Sequence, residues 1–339
     1  MTINDTKPPT PRVALLSMGG TIASVPTSDV GTGVLPRLDA ADIVAVAGDL
    51  HGVAVLEPQS IRQMPSASFT FSDVLAVRDA IRECLADGVE GVVVTQGTDN
   101  LEETSFALDL LIDADRPIVF TGAMRNPSLV GVDGPANVRA AAIVASSPRA
   151  RGLGTLVVMN DEVHAARFVR KIDATNPAAF ASPRTGPLGL VVEDQLHLFS
   201  RVRGLSIPGR IEEVPPVALV RCALGDDGRV VSALGGLGYQ GLVVEAMGGG
   251  HVASTMVERL GDTVHEMPVV LASRTGSGVV LSSTYGFEGS EIDLLGRGLI
   301  AAGALDGLKA RVALSLTLAA ASKRLDAEEE FRRIVKEIG

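Results

Sequence analysis

Aromatic residues make up only 3% of this 339-residue chain, and tryptophan is missing altogether. Cores must therefore come from Val, Leu, Ile and Ala, a usage that with 37 glycines suits buried parallel strands and closely packed helices. The two cysteines, Cys84 and Cys222, are too few for a disulfide framework, and neither lies in a C-x-x-C pattern, so both read as packing residues. No run of 18 apolar residues occurs, because Lys309 and Arg311 interrupt the longest candidate, and a membrane partner is not expected. The first ten residues lack the apolar stretch of a secretory signal, which predicts a reducing, cytoplasmic setting. Positive charge is also short: 30 Lys and Arg against 40 Asp and Glu give −10, which argues against a nucleic-acid partner. The five histidines show no metal-ligand spacing, so no metal is expected. Neither a G-x-x-x-x-G-K-[ST] phosphate loop nor a G-x-S-x-G elbow is present.

What is present is ample core material, with 46% hydrophobic and 21% charged residues, in a chain long enough for two domains. Short apolar strands alternate with helical runs, which predicts an α/β fold with a doubly wound, mostly parallel sheet in a large N-terminal domain, residues 11–200. Pro208, Pro215 and Pro216 mark residues 201–216 as a linker, followed by a smaller C-terminal α/β domain over 217–339. Within that domain the pattern predicts a helix over 292–302 and a charged, solvated terminal helix over 326–337.

Two stretches carry chemistry. Val92-Val93-Val94-Thr95 reads as a buried strand, Gly97 breaks it, and Leu101, Leu108, Leu111 and Ile112 recur at helical spacing. Thr98 and Asp99 thus sit where a strand's carboxyl end meets a helix amino terminus, the edge at which open α/β sheets bind ligands. Asp99 with Glu102 is equally readable as a capping pair that only starts the helix. The same logic recurs earlier, where Val13-Ala14-Leu15-Leu16 runs into Met18-Gly19-Gly20-Thr21. A dinucleotide fingerprint does not fit there, because the glycines are adjacent and the third is missing. The Gly- and Pro-containing stretch 25–38 that follows reads either as a lid over Thr21 or as a plain connector. A threonine hydroxyl needs an activating partner to act as a nucleophile, and Lys171, following the Val157 strand, is a candidate that composition alone would leave as a surface charge.

Met18-Gly19-Gly20-Thr21-Ile22-Ala23 and Gln96-Gly97-Thr98-Asp99-Asn100-Leu101-Glu102-Glu103-Thr104 resemble the two signature motifs of the bacterial-type L-asparaginases, T-G-G-T-I-A and H-G-T-D-T-x-E-E-T. Gly122-Ala123-Met124-Arg125, Asp133-Gly134-Pro135 and Gly186-Pro187-Leu188-Gly189 resemble further segments of that family in the same order. The resemblance implies an amidohydrolase that converts a small-molecule substrate, L-asparagine, to L-aspartate and ammonia, with minor L-glutamine hydrolysis and no cofactor. It implies Thr21 as nucleophile, Thr98, Asp99 and Lys171 as the second catalytic group, and Gly97, Thr98 and Asp99 as substrate contacts. It also implies a homotetramer, a dimer of dimers, in which His251 and Glu291 reach a neighbour's site. The alternative is the ammonia-releasing subunit of a tRNA-dependent amidotransferase.

The chain departs from the family pattern at Gln96 and Asn100, which stand where the motif has histidine and threonine. The family's loop tyrosine is missing from 25–38, where Thr27, Ser28 and Thr32 are the nearest hydroxyls. Of the two tyrosines, Tyr239 reads as a packing residue, whereas Tyr285, six residues before Glu291, reads either as a replacement supplied by the adjacent subunit or as a half-exposed loop aromatic. For the substrate α-carboxylate, Ser60 is the candidate, with Arg62 as its competitor.

Overall fold

The run of β-branched residues at 92–94 is fully buried because it lies inside a sheet covered on both faces. A computed structural model describes residues 9–27 and 33–339, so Ser28 and Thr32 lie outside the described residues. Two compact units divide between Gly204 and Leu205. The first begins with β1 (Arg12–Ser17), the short strands β2 (Ser24–Pro26) and β3 (Val34–Pro36), α1 (Ala40–Val46) and β4 (Val55–Ser60). It continues through α2 (Phe71–Ala86), β5 (Gly91–Thr95), α3 (Leu101–Leu111), β6 (Ile118–Thr121) and α4 (Gly134–Ser146). It closes with β7 (Thr155–Met159), β8 (Glu162–Ala165), β9 (Arg170–Lys171), β10 (Phe180–Ala181), β11 (Gly189–Val192) and β12 (Gln195–Leu198).

Eight of these strands form one sheet in the order β12-β11-β8-β7-β6-β5-β1-β4. Strands β4, β1, β5, β6 and β7 run parallel, and β8, β11 and β12 add an antiparallel edge. Strand alternation sends Val13, Leu15, Val93 and Val119 to one face, in a cluster with Ile43 of α1 and Val138 and Ala141 of α4. Val92 and Val94 point to the other face, where α2 and α3 pack. The chain leaves β1 for β4 on one side and returns to β5 on the other, so the ends of β1 and β5 flank a topological switch point.

The antiparallel edge is not anticipated by the alternation of strands and helices. It arises from two-residue turns, Asn160-Asp161 and Glu193-Asp194, whose φ angles of 52°, 61°, 50° and 59° are the left-handed pair that a tight hairpin needs. Within 25–38 the structure has β2 paired antiparallel with β3.

The second unit contains β13 (Val217–Arg221), β14 (Gly241–Ala246), α5 (Ser254–Glu266), β15 (Val269–Ser273), α6 (Glu291–Gly296), β16 (Ile300–Ala301), α7 (Gly307–Ala320) and α8 (Arg324–Ile338). Its four strands form a parallel sheet in sequence order. Tyr239 packs against its core. Two expectations fail here. The helix expected over 292–302 stops at Gly296, Gly298 adopts φ 99°, and the chain re-enters the sheet as β16. The terminal helix is not simply solvated, since Ala327, Phe331, Ile334 and Ile338 form a buried stripe at helical spacing. Among the described residues no helix is long and apolar enough to cross a membrane.

Candidate active site

Each glycine–threonine turn follows the carboxyl end of a central strand. After β1 the chain passes Gly19 and Gly20 into a single 3-10 turn, Thr21–Ala23. After β5 it passes Gly97 into a second, Thr98–Asn100, which leads directly into α3. The Met18 amide donates to the Thr95 carbonyl at 2.8 Å, so the sheet register carries on into the turns. Gly20, at φ 86°, lies so near the second turn that a Cβ built on it would stand 2.1 Å from the Gly97 nitrogen. A Cβ on Gly97 would in turn meet Ser66 Oγ at 2.6 Å. Close backbone approach, possible only without side chains, brings both threonine turns and Ser66 together.

Lys171 completes the group. Its Nζ donates to Thr98 Oγ1 and to Asp99 Oδ1, both at 2.9 Å. The lysine side chain is only 15% exposed whereas that of Asp99 is 65% exposed, so the pair has one buried and one open end. Asp99 therefore does not cap α3: its carboxylate faces Lys171, and Asn100, the residue at the cap position, makes no side-chain cap bond. Thr98 is buried and Thr21 partly so. An open cavity of about 380 Å³ lies over Asp99 and Lys171, with Ile172, Asp173 and Ala174 as its other walls.

Lys171 sits on β9, outside the main sheet, where it pairs with Phe180 of β10. Two buried contacts fix this hairpin. Arg167 donates Nη2 to Asp109 Oδ2 at 2.8 Å, and Asp109 Oδ1 accepts the Thr155 amide at 2.8 Å, tying the approach to β9 onto α3 and β7. On the far side, His164 Nδ1 and Ser182 Oγ are 2.9 Å apart. Burial lowers the His164 pKa to about 4, and its Nε2 lies 3.2 Å from Glu162 Oε2 without hydrogen-bond alignment.

Ser60 ends β4, in register with Ser17 at the carboxyl end of β1. Its exposed Oγ accepts the Ala40 amide at 3.0 Å, at the start of α1. Arg62 pairs with Asp73 at 2.8 Å, so its charge is already engaged. The hydroxyl at the site is that of buried Ser66, which accepts the Asp99 amide at 3.3 Å and keeps its own proton to donate. The sequence carries no signal for Ser66, which opens the 3-10 turn Ser66–Ser68 in a stretch without periodicity.

His251, Glu291 and Tyr285 come together in the second unit. His251 Nε2 is 3.1 Å from Glu291 Oε2, and Glu291 Oε1 accepts the amides of Thr284 and Tyr285 at 2.8 and 2.7 Å. Burial alone would push the Glu291 carboxyl up, but these amides and His251 hold it below its ordinary value. Glu291 is fully buried, while the Tyr285 ring meets His251 edge-on at 4.9 Å and stays 45% exposed.

The Asparaginase, N-terminal family model matches residues 12–203, and the Glutaminase/Asparaginase C-terminal domain model matches 216–331. This chain belongs to the asparaginase family. It is 32% identical to an L-asparaginase of Bacillus licheniformis over 91% of this chain and 95% of the relative. It is 35% identical to a probable L-asparaginase of Deinococcus radiodurans over 96% and 97%. A crystal structure of a probable cytoplasmic L-asparaginase from Campylobacter jejuni superposes with a TM-score of 0.86 at 30% identity, covering 95% of this chain and 99% of that one. These asparaginase likenesses extend through both units and do not favour the amidotransferase-subunit alternative.

Proposed function

We propose that this chain hydrolyses the side-chain amide of L-asparagine to L-aspartate and ammonia, in the cytoplasm, as a homotetramer built as a dimer of dimers. The observation that carries this reading is the Lys171 ammonium 2.9 Å from both Thr98 Oγ1 and Asp99 Oδ1, in the turn whose Gly97 abuts Gly20 beside Thr21.

In this scheme the Thr21 hydroxyl oxygen attacks the amide carbon, its proton goes to the departing nitrogen, and ammonia leaves an acyl-enzyme. Backbone N–H groups of the two glycine–threonine turns stabilise the oxyanion. Lys171 donates to Thr98 Oγ1, which leaves the Thr98 proton free to position the water that attacks the acyl carbon. The water's oxygen ends in the new carboxylate and Thr21 regains its proton. Asp99, with its open carboxylate edge, takes the α-ammonium, and Ser66 donates to the α-carboxylate.

His251, Glu291 and Tyr285 are assigned to the neighbouring copy's site, with Glu291 acting from behind through His251, since its own oxygens are engaged in its unit. Tyr285, half-exposed beside His251, supplies the hydroxyl missing from the loop after Thr21. Ammonia release from L-asparagine and L-glutamine by the purified protein tests the reading. Turnover of L-asparagine that disappears in Thr21→Ala is expected; no release from either amide would overturn it.

A further inference from the structure

Gln96 and Asn100, the two departures from the family motif, are bonded to each other, and their contacts fix which way each amide points. Asn100 Nδ2 donates to the Ser66 carbonyl at 2.6 Å, which turns Asn100 Oδ1 toward Gln96. Gln96 must then present its own amide nitrogen, and Nε2 lies 3.0 Å from that oxygen. The second Nε2 hydrogen goes to Thr104 Oγ1 at 3.2 Å, while the Thr104 hydroxyl donates to the Asn100 carbonyl at 3.0 Å. Gln96 is fully buried, and among the described residues its Oε1 has no partner. An apolar side chain would fill that space without the cost of an unpaired buried carbonyl.

The chain of bonds ends at Ser66, and Ser66 Oγ is also held by the Asp99 amide at 3.3 Å. One residue is thus gripped at two points, by its carbonyl and by its hydroxyl, against the turn that bears Thr98 and Asp99. We propose that Gln96 and Asn100 are a coupled pair of positioning residues that hold Ser66 against this turn, and so set how firmly the α-carboxylate end of the substrate is gripped. The inference rests on the asparagine-hydrolase reading, in which Asp99 and Ser66 receive the α-ammonium and α-carboxylate. Neither amide touches the Lys171 pair, so binding rather than bond cleavage responds to them.

The test compares wild type, Asn100→Asp, Gln96→Leu and the double variant. Asn100→Asp keeps the volume and the acceptor but loses the donor to Ser66; Gln96→Leu removes the support behind it. The KM for L-asparagine is expected to rise about tenfold or more, as loss of a bond to a charged group implies, with kcat changing less than about threefold. The double variant should be no worse than the worse single variant, because both act through one tether. Competitive inhibition by L-aspartate should weaken by the same factor, and inhibition by 3-aminopropanoate, which lacks the α-carboxylate, should not. Equal weakening for both inhibitors, additive effects, or a fall in kcat with KM unchanged would overturn the tether. Thermal melting establishes that each variant is folded, and either single variant carries the test if the other does not fold. A wild type that hydrolyses L-asparagine with unaffected variants overturns this inference alone. A wild type inactive toward both amides overturns the functional reading on which it rests.

Discussion

Gly20 and Gly97 meet backbone to backbone, with room for no side chain between them. Gly20→Ala is therefore expected to force the two threonine turns apart. Alanine at φ 86° is strained by about 1 kcal/mol or more, and its methyl group would overlap an amide that cannot rotate away. Displacement of reacting groups by about 1 Å costs about 10²-fold in rate. Steady-state kinetics and melting of Gly20→Ala should show both losses, while Gly236→Ala, where a Cβ meets nothing within 4 Å, should show neither. Normal turnover in Gly20→Ala would mean that the contact does not set the site.

The Lys171–Thr98 contact predicts a specific pattern of non-additivity. Thr98→Val and Lys171→Met should each lower kcat by about 10³-fold or more. Because one acts through the other, the double variant should be little worse than either alone. Multiplicative losses in single-turnover measurements would show two independent contributions.

Tyr285→Phe removes only a hydroxyl. If that hydroxyl serves the Thr21 proton in a neighbouring copy, kcat should fall by about 10²-fold, with the His251 edge contact and the backbone bond to Glu291 retained. A kcat within about threefold of wild type would leave Tyr285 as a packing partner of His251 and Phe287.

His164 predicts an acid limit to stability. Its folded pKa of about 4 lies below the ordinary 6.5, so the unfolded chain takes up the proton first as pH falls. The stabilisation is whole above pH 6.5 and is lost progressively down to about pH 4, by about 3 kcal/mol in all. Urea unfolding of wild type and His164→Asn between pH 7 and 4 should converge by that amount. Parallel curves would show that the histidine does not titrate between the two states.

Much of this architecture can be read from sequence, because buried parallel strands are written as uninterrupted apolar runs. Gly91–Thr95, Ile118–Thr121 and Thr155–Met159 are examples, and the glycines that end such strands mark the chemical edge. Less legible is whatever depends on contacts between distant segments. Ser66 lies in a polar stretch with no periodicity, and only its approach to Gly97 and Asp99 gives it significance. The role of Asp99 is ambiguous for the same reason, since capping and ion pairing require the same residue at the same place. The β8, β11 and β12 edge turns on left-handed Asn160, Asp161, Glu193 and Asp194, and one of these, Glu193, is a residue type that seldom takes that conformation. The buried stripe of α8 is present in the sequence, but its density of charge hides it.

The large sheet has two ends with different duties. The turns that follow the carboxyl ends of β1 and β5 hold Thr21, Thr98 and Asp99, and Ser66 lies against them. The turns that enter β5, β6 and β7 at the opposite end are laced by Arg151 to Glu90 and Asp115 instead. Because β1 and β5 pair Ser17 with Thr95, the offset between the reactive turns is locked by strand register, remote from those entry turns. Extra residues inserted between the exposed Asp87 and Gly88, short of buried Val89, are therefore expected to cost stability while leaving the two threonine turns in register.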